Sequence, residues 1–116
     1  MALVKVLIHP LVQDASGVPQ VCTGTLTATV CKEGWPVTHL ETDDPDIILP
    51  KPIVIDFVDS VLSSDLYFTD IGNDGNYYHV NMIVDGTIVY KADVRLPNNH
   101  TGGEINWSHL TFKGTL

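Results

Sequence analysis

Positive charge is scarce in this sequence: six Lys and Arg stand against fourteen Asp and Glu, a formal net charge of −8 over 116 residues. Binding to a phosphate backbone needs clustered cations. The six here are scattered along the chain, so no nucleic acid partner is expected. Long apolar runs are missing too, and nothing approaches the ~18 residues of a membrane span, so no membrane partner is expected either. Cysteine is limited to Cys22 and Cys31. With no second Cys or Cys/His pair at ligand spacing they form neither a zinc site nor a disulfide framework. Two reduced thiols in a protein folded in a cytoplasm are the expectation, with a local disulfide as the alternative. The five histidines, His9, His39, His79, His100 and His109, include no HExxH and no pair at i, i+2 or i, i+4 spacing. The nucleophile elbow GxSxG, the phosphate loop GxxxxGKS/T and the dinucleotide fingerprint GxGxxG are absent as well. Asp43 with Asp44, or Asp56 with Asp59, have the chemistry of acid/base partners, but Asp-rich loops are ordinarily solvated. The chain is expected to be no enzyme and to carry no cofactor and no metal.

Apolar residues make up 44% of the sequence, far more than a disordered tail carries. A chain this long buries roughly 65% of its unfolded surface and builds a core without staples, which predicts one domain over 1–116. Every strong pattern has period two. Over Val21–Val30, Thr23, Thr25, Thr27 and Thr29 share one face, while Cys22, Gly24, Leu26, Ala28 and Val30 share the other. A strand with one face on a core and one in water has this alternation. Leu3–Ile8, Val37–Leu40, Ile53–Val58, Tyr78–Val84 and Ile88–Leu96 follow the same rule, and residues 66–69 and 105–112 follow it more weakly. The apolar Met1–Pro10 lacks a small-residue cleavage site and reads as a strand, not a signal peptide. About seven short strands divided by Gly, Pro, Asn and Asp predict an all-β, antiparallel β-sandwich.

Register follows around Asp85-Gly86. A two-residue loop pairs Val84 with Thr87 and sets polar residues opposite the apolar stripe Tyr78, Val80, Met82. A three-residue loop pairs Met82 with Ile88 and Val80 with Tyr90, with Gly86 at positive φ in a bulge. Since a one-residue slip flips every side chain, the three-residue loop is the expectation. Pro10 and Pro19 bracket a loop, Leu11–Gln20, whose Asp14-Ala15-Ser16-Gly17 is turn chemistry. The acidic, Pro-punctuated Glu41–Pro52 reads as an extended excursion between sheets or across an edge.

Three features invite a ligand and are read otherwise. Asp70–Asn76 places Asp70, Asp74 and Gly75 at EF-hand positions but offers no bidentate Glu at the twelfth, Asn81, so an interstrand turn is expected in place of a calcium loop. The sequons at Asn99 and Asn106 are read as accidental. Trp35, before Pro36, and Trp107, within an apolar segment, are read as packing residues, and His79 as a surface histidine.

Four segments occur in order along the second half: Gly75-Asn76-Tyr77-Tyr78-His79-Val80, Asp85-Gly86-Thr87-Ile88-Val89-Tyr90, Val94-Arg95-Leu96-Pro97 and Ile105-Asn106-Trp107-Ser108-His109-Leu110. This succession resembles the small transthyretin-like or immunoglobulin-like β-sandwich domains of tailed-bacteriophage virion proteins. Val21–Val30 with Gly24 resembles an earlier strand of theirs, and the likeness covers about two thirds of the chain. The turn Asp14-Ala15-Ser16-Gly17-Val18-Pro19 departs from the pattern by preceding that strand. The resemblance implies a non-enzymatic virion structural protein, assembled in a host cytoplasm. Its role would be a tail-tip or fibre-attachment module or a capsid decoration protein. Its partners would be other virion proteins and copies of itself. A carbohydrate-binding module for host-surface glycans is the alternative reading.

Interfaces are expected where apolar residues outnumber the inward positions. The first strand is apolar on both parities, through Leu3, Val4, Val6, Leu7 and Ile8, so it is either central or covered by a partner. Ile47, Ile48 and Leu49 stand between prolines without alternation, so they cannot all face one core. Leu3, Val4, Val6, Ile8, Ile47, Ile48 and Leu49 are the candidate interface residues.

Overall fold

The period-two patterns become strands in nearly every case. The computed structural model describes residues 3–41, 47–69, 71, 75–97 and 102–112. The chain begins with β1 (Leu3–Leu7), β2 (Leu11–Gln13), β3 (Pro19–Val21), β4 (Gly24–Lys32) and β5 (Trp35–Pro36). It continues through β6 (Leu40–Glu41), β7 (Ile47–Ile48), β8 (Ile53–Val58), β9 (Val61–Leu62) and β10 (Leu66–Thr69). The last part holds β11 (Tyr77–Val84), β12 (Thr87–Arg95), β13 (Glu104–Asn106), a 3₁₀ turn over Trp107–His109, and β14 (Thr111–Phe112). The fold is all-β and sandwich-like. A large sheet runs β14-β12-β11-β4-β8-β9, with β5 also on β4, and a three-stranded sheet runs β10-β1-β13. Pairing is antiparallel except between β1 and β13.

Alternation in β4 works as expected. Leu26, Ala28 and Val30 are buried, while the threonines between them are half-exposed. Tyr78, Val80 and Met82 of β11, Ala92 and Val94 of β12, and Ile55 and Phe57 of β8 extend this inner face. Val4, Val6, Leu66, Phe68 and Ile105 of the smaller sheet close the same core from the other side. Lys5 stands on that sheet's outer face, 3.5 Å from Asp65 and 3.9 Å from Glu104, exposed pairs worth at most about 1 kcal/mol.

The hairpin at Asp85-Gly86 corrects the sequence reading. Val84 pairs with Thr87 across a two-residue turn, Ile83 with Ile88, and Met82 with Tyr90, not with Ile88. Both turn residues have positive φ, 52° at Asp85 and 75° at Gly86, the conformation whose twist suits a two-residue hairpin. The stripes are brought back into phase inside the strand: Val89 is the extra residue of a bulge, and beyond it Tyr90, Ala92 and Val94 face Met82, Val80 and Tyr78. Turn and bulge are separate devices here. Gly86 still carries its positive φ, so Gly86→Val is expected to destabilise by about 1–2 kcal/mol. Urea unfolding of the variant measures this, and an unchanged midpoint would refute it.

Other expectations shift locally. The loop over 11–20 is a hairpin, β2 on β3, too short and exposed to show an alternation. Of Val37–Leu40 only Leu40 is in a strand, paired with Ile48, so the stretch over 41–52 contains a two-stranded ribbon. Its Asp43, Asp44 and Asp46 lie outside the described residues. The segment 105–112 is broken by the 3₁₀ turn. Ser60, at φ 65° and buried, ties distant segments together. Its hydroxyl donates to the Pro10 carbonyl and accepts the Cys22 N–H at 3.1 Å, and its own N–H donates to the Cys22 carbonyl at 2.8 Å. That knot fixes the root of the β2–β3 hairpin against the β8–β9 turn.

Candidate functional site

Central position, not a partner, covers part of the first strand. Between β10 and β13, β1 turns Val4 and Val6 into the chain's own core, at 1% and 2% exposure. They are therefore not available as contact residues. Ile8 is half-buried against the same core. Leu3 projects outward, 60% exposed, with Leu7 on the same side. Ile47 and Ile48 form β7 against β6, and their side chains lie outside the described residues. Leu49 is 68% exposed. Of the seven candidates, Leu3 and Leu49 are the two whose described side chains stand free in solvent.

Larger apolar surfaces lie where the sequence reading did not place them. On the outer face of β8 and the adjoining β9, Val54, Val58 and Val61 are exposed. Leu11 and Val21 are paired across the β2–β3 hairpin, with Val18 near its tip, and all three are exposed. Along β12, Ile88, Val89 and Tyr90 are exposed in succession, and Phe112 of β14 is exposed too. A signal was present: Ile88-Val89-Tyr90 is an apolar run without alternation, the criterion that singled out residues 47–49.

The β2–β3 hairpin presents its apolar pair on an ordered arm. Asp14 Oδ1 accepts the N–H groups of Ser16 (2.8 Å) and Val18 (3.0 Å), and Oδ2 accepts from Gln20 Nε2 at 3.0 Å. The Val18 bond, then the Gln20 and Ser16 bonds, hold the Asp14 carboxyl below the usual carboxylate range. A depressed folded pKa means that order is present above the unfolded value and is lost as pH falls through the folded one. Protection of the Ser16 and Val18 amides, taken as their exchange rate relative to the intrinsic rate at each pH, is therefore expected to hold at neutral pH and to be lost under acid. Asp14→Asn should show fast exchange already at neutral pH, and slow exchange there would refute the assignment.

A partly buried polar pair lies on the outer face of the large sheet. His79, opposite both Thr29 and Asp93, bonds through Nδ1 to Asp93 Oδ1 at 2.6 Å, and Asp93 is buried. His79 is thus a half-buried, paired side chain and not a plain surface histidine. Burial, then the nearby Asp93 carboxylate, pushes the Cys31 thiol up, which keeps it protonated and a poor nucleophile at neutral pH. Cys22 and Cys31 are both free. Among the described residues no three His, Cys, Asp or Glu side chains converge to hold a metal. Asp70 and residues 72–74 of the calcium-like loop lie outside the described residues, as does the sequon at Asn99. Asn106 of the other sequon is exposed at the end of β13.

The two tryptophans part company. Trp107 packs against the core, edge-on to Tyr90 and Phe112. Trp35 does not pack: it follows the Glu33-Gly34 turn of the β4–β5 hairpin and is 77% exposed. No helix among the described residues is long and apolar enough to cross a membrane. Family models, curated proteins and solved structures offer no match to this chain.

Proposed function

We propose that this chain is a non-enzymatic structural protein of a bacteriophage virion, a tail-tip or fibre-attachment module or a capsid decoration protein. It works through contacts with other virion proteins and with copies of itself. The observation that carries the binding role is the spread of large apolar side chains left in water on β8–β9, the β2–β3 hairpin and β12. Single exposed hydrophobics are ordinary, but clusters on ordered elements mark contact surfaces. The virion setting rests on the motif succession of the second half. Antibody labelling of virions purified from the phage that encodes the chain tests it. Label on tail or shell is expected, and chain present only in the particle-free fraction overturns the proposal.

One observation favours a second reading. Trp35 is an aromatic platform held in water on a hairpin, the kind of surface on which sugar rings stack. A glycan array probed with the full chain and with Trp35→Ala separates the readings. Saccharide binding that the substitution abolishes favours a glycan module, and no binding by either leaves the assembly role as stated.

A further inference from the structure

A cleft of about 340 Å³ opens between the inner face of the large sheet and the segment 8–12 that leaves β1. Phe57, Met82, Val84, Val89, Tyr90 and Trp107 line it together with that segment and Cys22. Two successive residues of one strand, Val89 and Tyr90, both reach it. A regular strand sends neighbours to opposite faces, so it is the bulge that delivers the second, and bulges commonly re-aim side chains in this way beside functional sites.

The chemistry of the wall selects the occupant. In a chain with fourteen acidic residues, no Asp, Glu, Lys or Arg lines the cleft; its polar side-chain groups are His9, the Cys22 thiol, the Tyr90 hydroxyl and the Trp107 indole N–H. The thiol is engaged with the Pro10 carbonyl at 3.6 Å. Tyr90 Oη accepts the Trp107 Nε1–H at 3.2 Å, which fixes the ring and leaves its own proton without an acceptor among the described residues. The result is one oriented donor in an apolar cleft that has the exposed His9 elsewhere on its wall and no repelling anion. A sugar held along these walls would leave most of its hydroxyls unpaired, whereas a single carboxylate at the open mouth keeps contact with water. The volume lies at the small end of ligand sites.

We propose that this cleft binds a small free carboxylic acid with an apolar tail. The tail packs against Val84, Val89 and Trp107 over the buried Phe57 and Met82, and the carboxylate accepts the Tyr90 proton. The inference does not depend on the virion reading. Titration of the full ¹⁵N-labelled chain with sodium octanoate tests it. Saturable shifts are expected at the Trp107 indole N–H and at the Val89 and Tyr90 amides, with a dissociation constant of about 1 mM or tighter. Tyr90→Phe should weaken octanoate binding about tenfold by removing a charge-assisted bond. Should that variant not fold, 1-octanol on the parent chain makes the same comparison, and it too should bind about tenfold more weakly. Absence of saturation at Trp107, shifts centred on Trp35, or octanol binding as tightly as octanoate overturns the proposal.

Discussion

Gly24→Ala is expected to destabilise the chain by about 3 kcal/mol or more, at the top of the range for overpacking. The cause is not backbone dihedral freedom. A Cβ at position 24 would stand 2.0 Å from the Ile83 carbonyl oxygen, 3.0 Å from the Ile83 carbonyl carbon and 3.1 Å from Phe57 Cζ. The nearest obstacle is main chain in the neighbouring strand, so no rotamer change relieves it; β11 has to move off β4 where Gly24 pairs with Val84. Ile83 is also where the β11–β12 ladder shifts register, and bulges add local twist. A glycine is what lets the two strands approach at that twist. Urea denaturation of parent and variant measures the effect, and a loss below about 1 kcal/mol would show that the contact is looser than described.

Phe68→Ala is expected to cost about 3–5 kcal/mol, the range for deleting a buried aromatic ring. Phe68 is fully buried and belongs to β10, yet its ring stacks on Tyr78 of β11, centroids 4.0 Å apart and 6° from parallel. It is therefore a bolt between the two sheets, and Tyr78 also ties them by accepting the Thr69 N–H at 3.2 Å. Phe68→Leu keeps most of the volume and should cost less than the alanine change. Equal losses for the two variants would mean that packing volume does not set the energy at this site.

Some of this architecture was legible in the residues and some was not, for definite reasons. The threonine alternation of β4 and the stripes of β8 and β11 report burial directly, because a half-buried strand leaves no other way to write them. The β11–β12 register was not legible, since parity can be restored by an extra residue in the turn or in the strand. A ladder through the three-residue loop sets His79 opposite Lys91, whereas the bulge sets it opposite Asp93. The His79–Asp93 pair was hidden by that single ambiguity. Apolarity on both parities of β1 had two explanations, and the structure supplies a piece of each: Val4 and Val6 serve the core while Leu3 and Leu7 stay outside. Trp35 was misjudged because hydrophobicity alone does not say that a residue has anything to pack against. The cleft combines residues from β8, β11, β12, the 3₁₀ turn and the segment after β1, a juxtaposition that no local pattern contains.

The parallel pairing of β1 with β13 bears on how the molecule is made. Lys5 lies beside Glu104 and Val6 beside Ile105, so the smaller sheet closes only when segments about 100 residues apart have met. Local hairpins such as β11–β12 form on their own within about 1–10 μs, while contacts this distant in sequence must first overcome a long loop closure and tend to slow folding. Until Glu104–Asn106 pairs with β1, that edge of β1 has no backbone partner and the Ile105 side of the core is open to water.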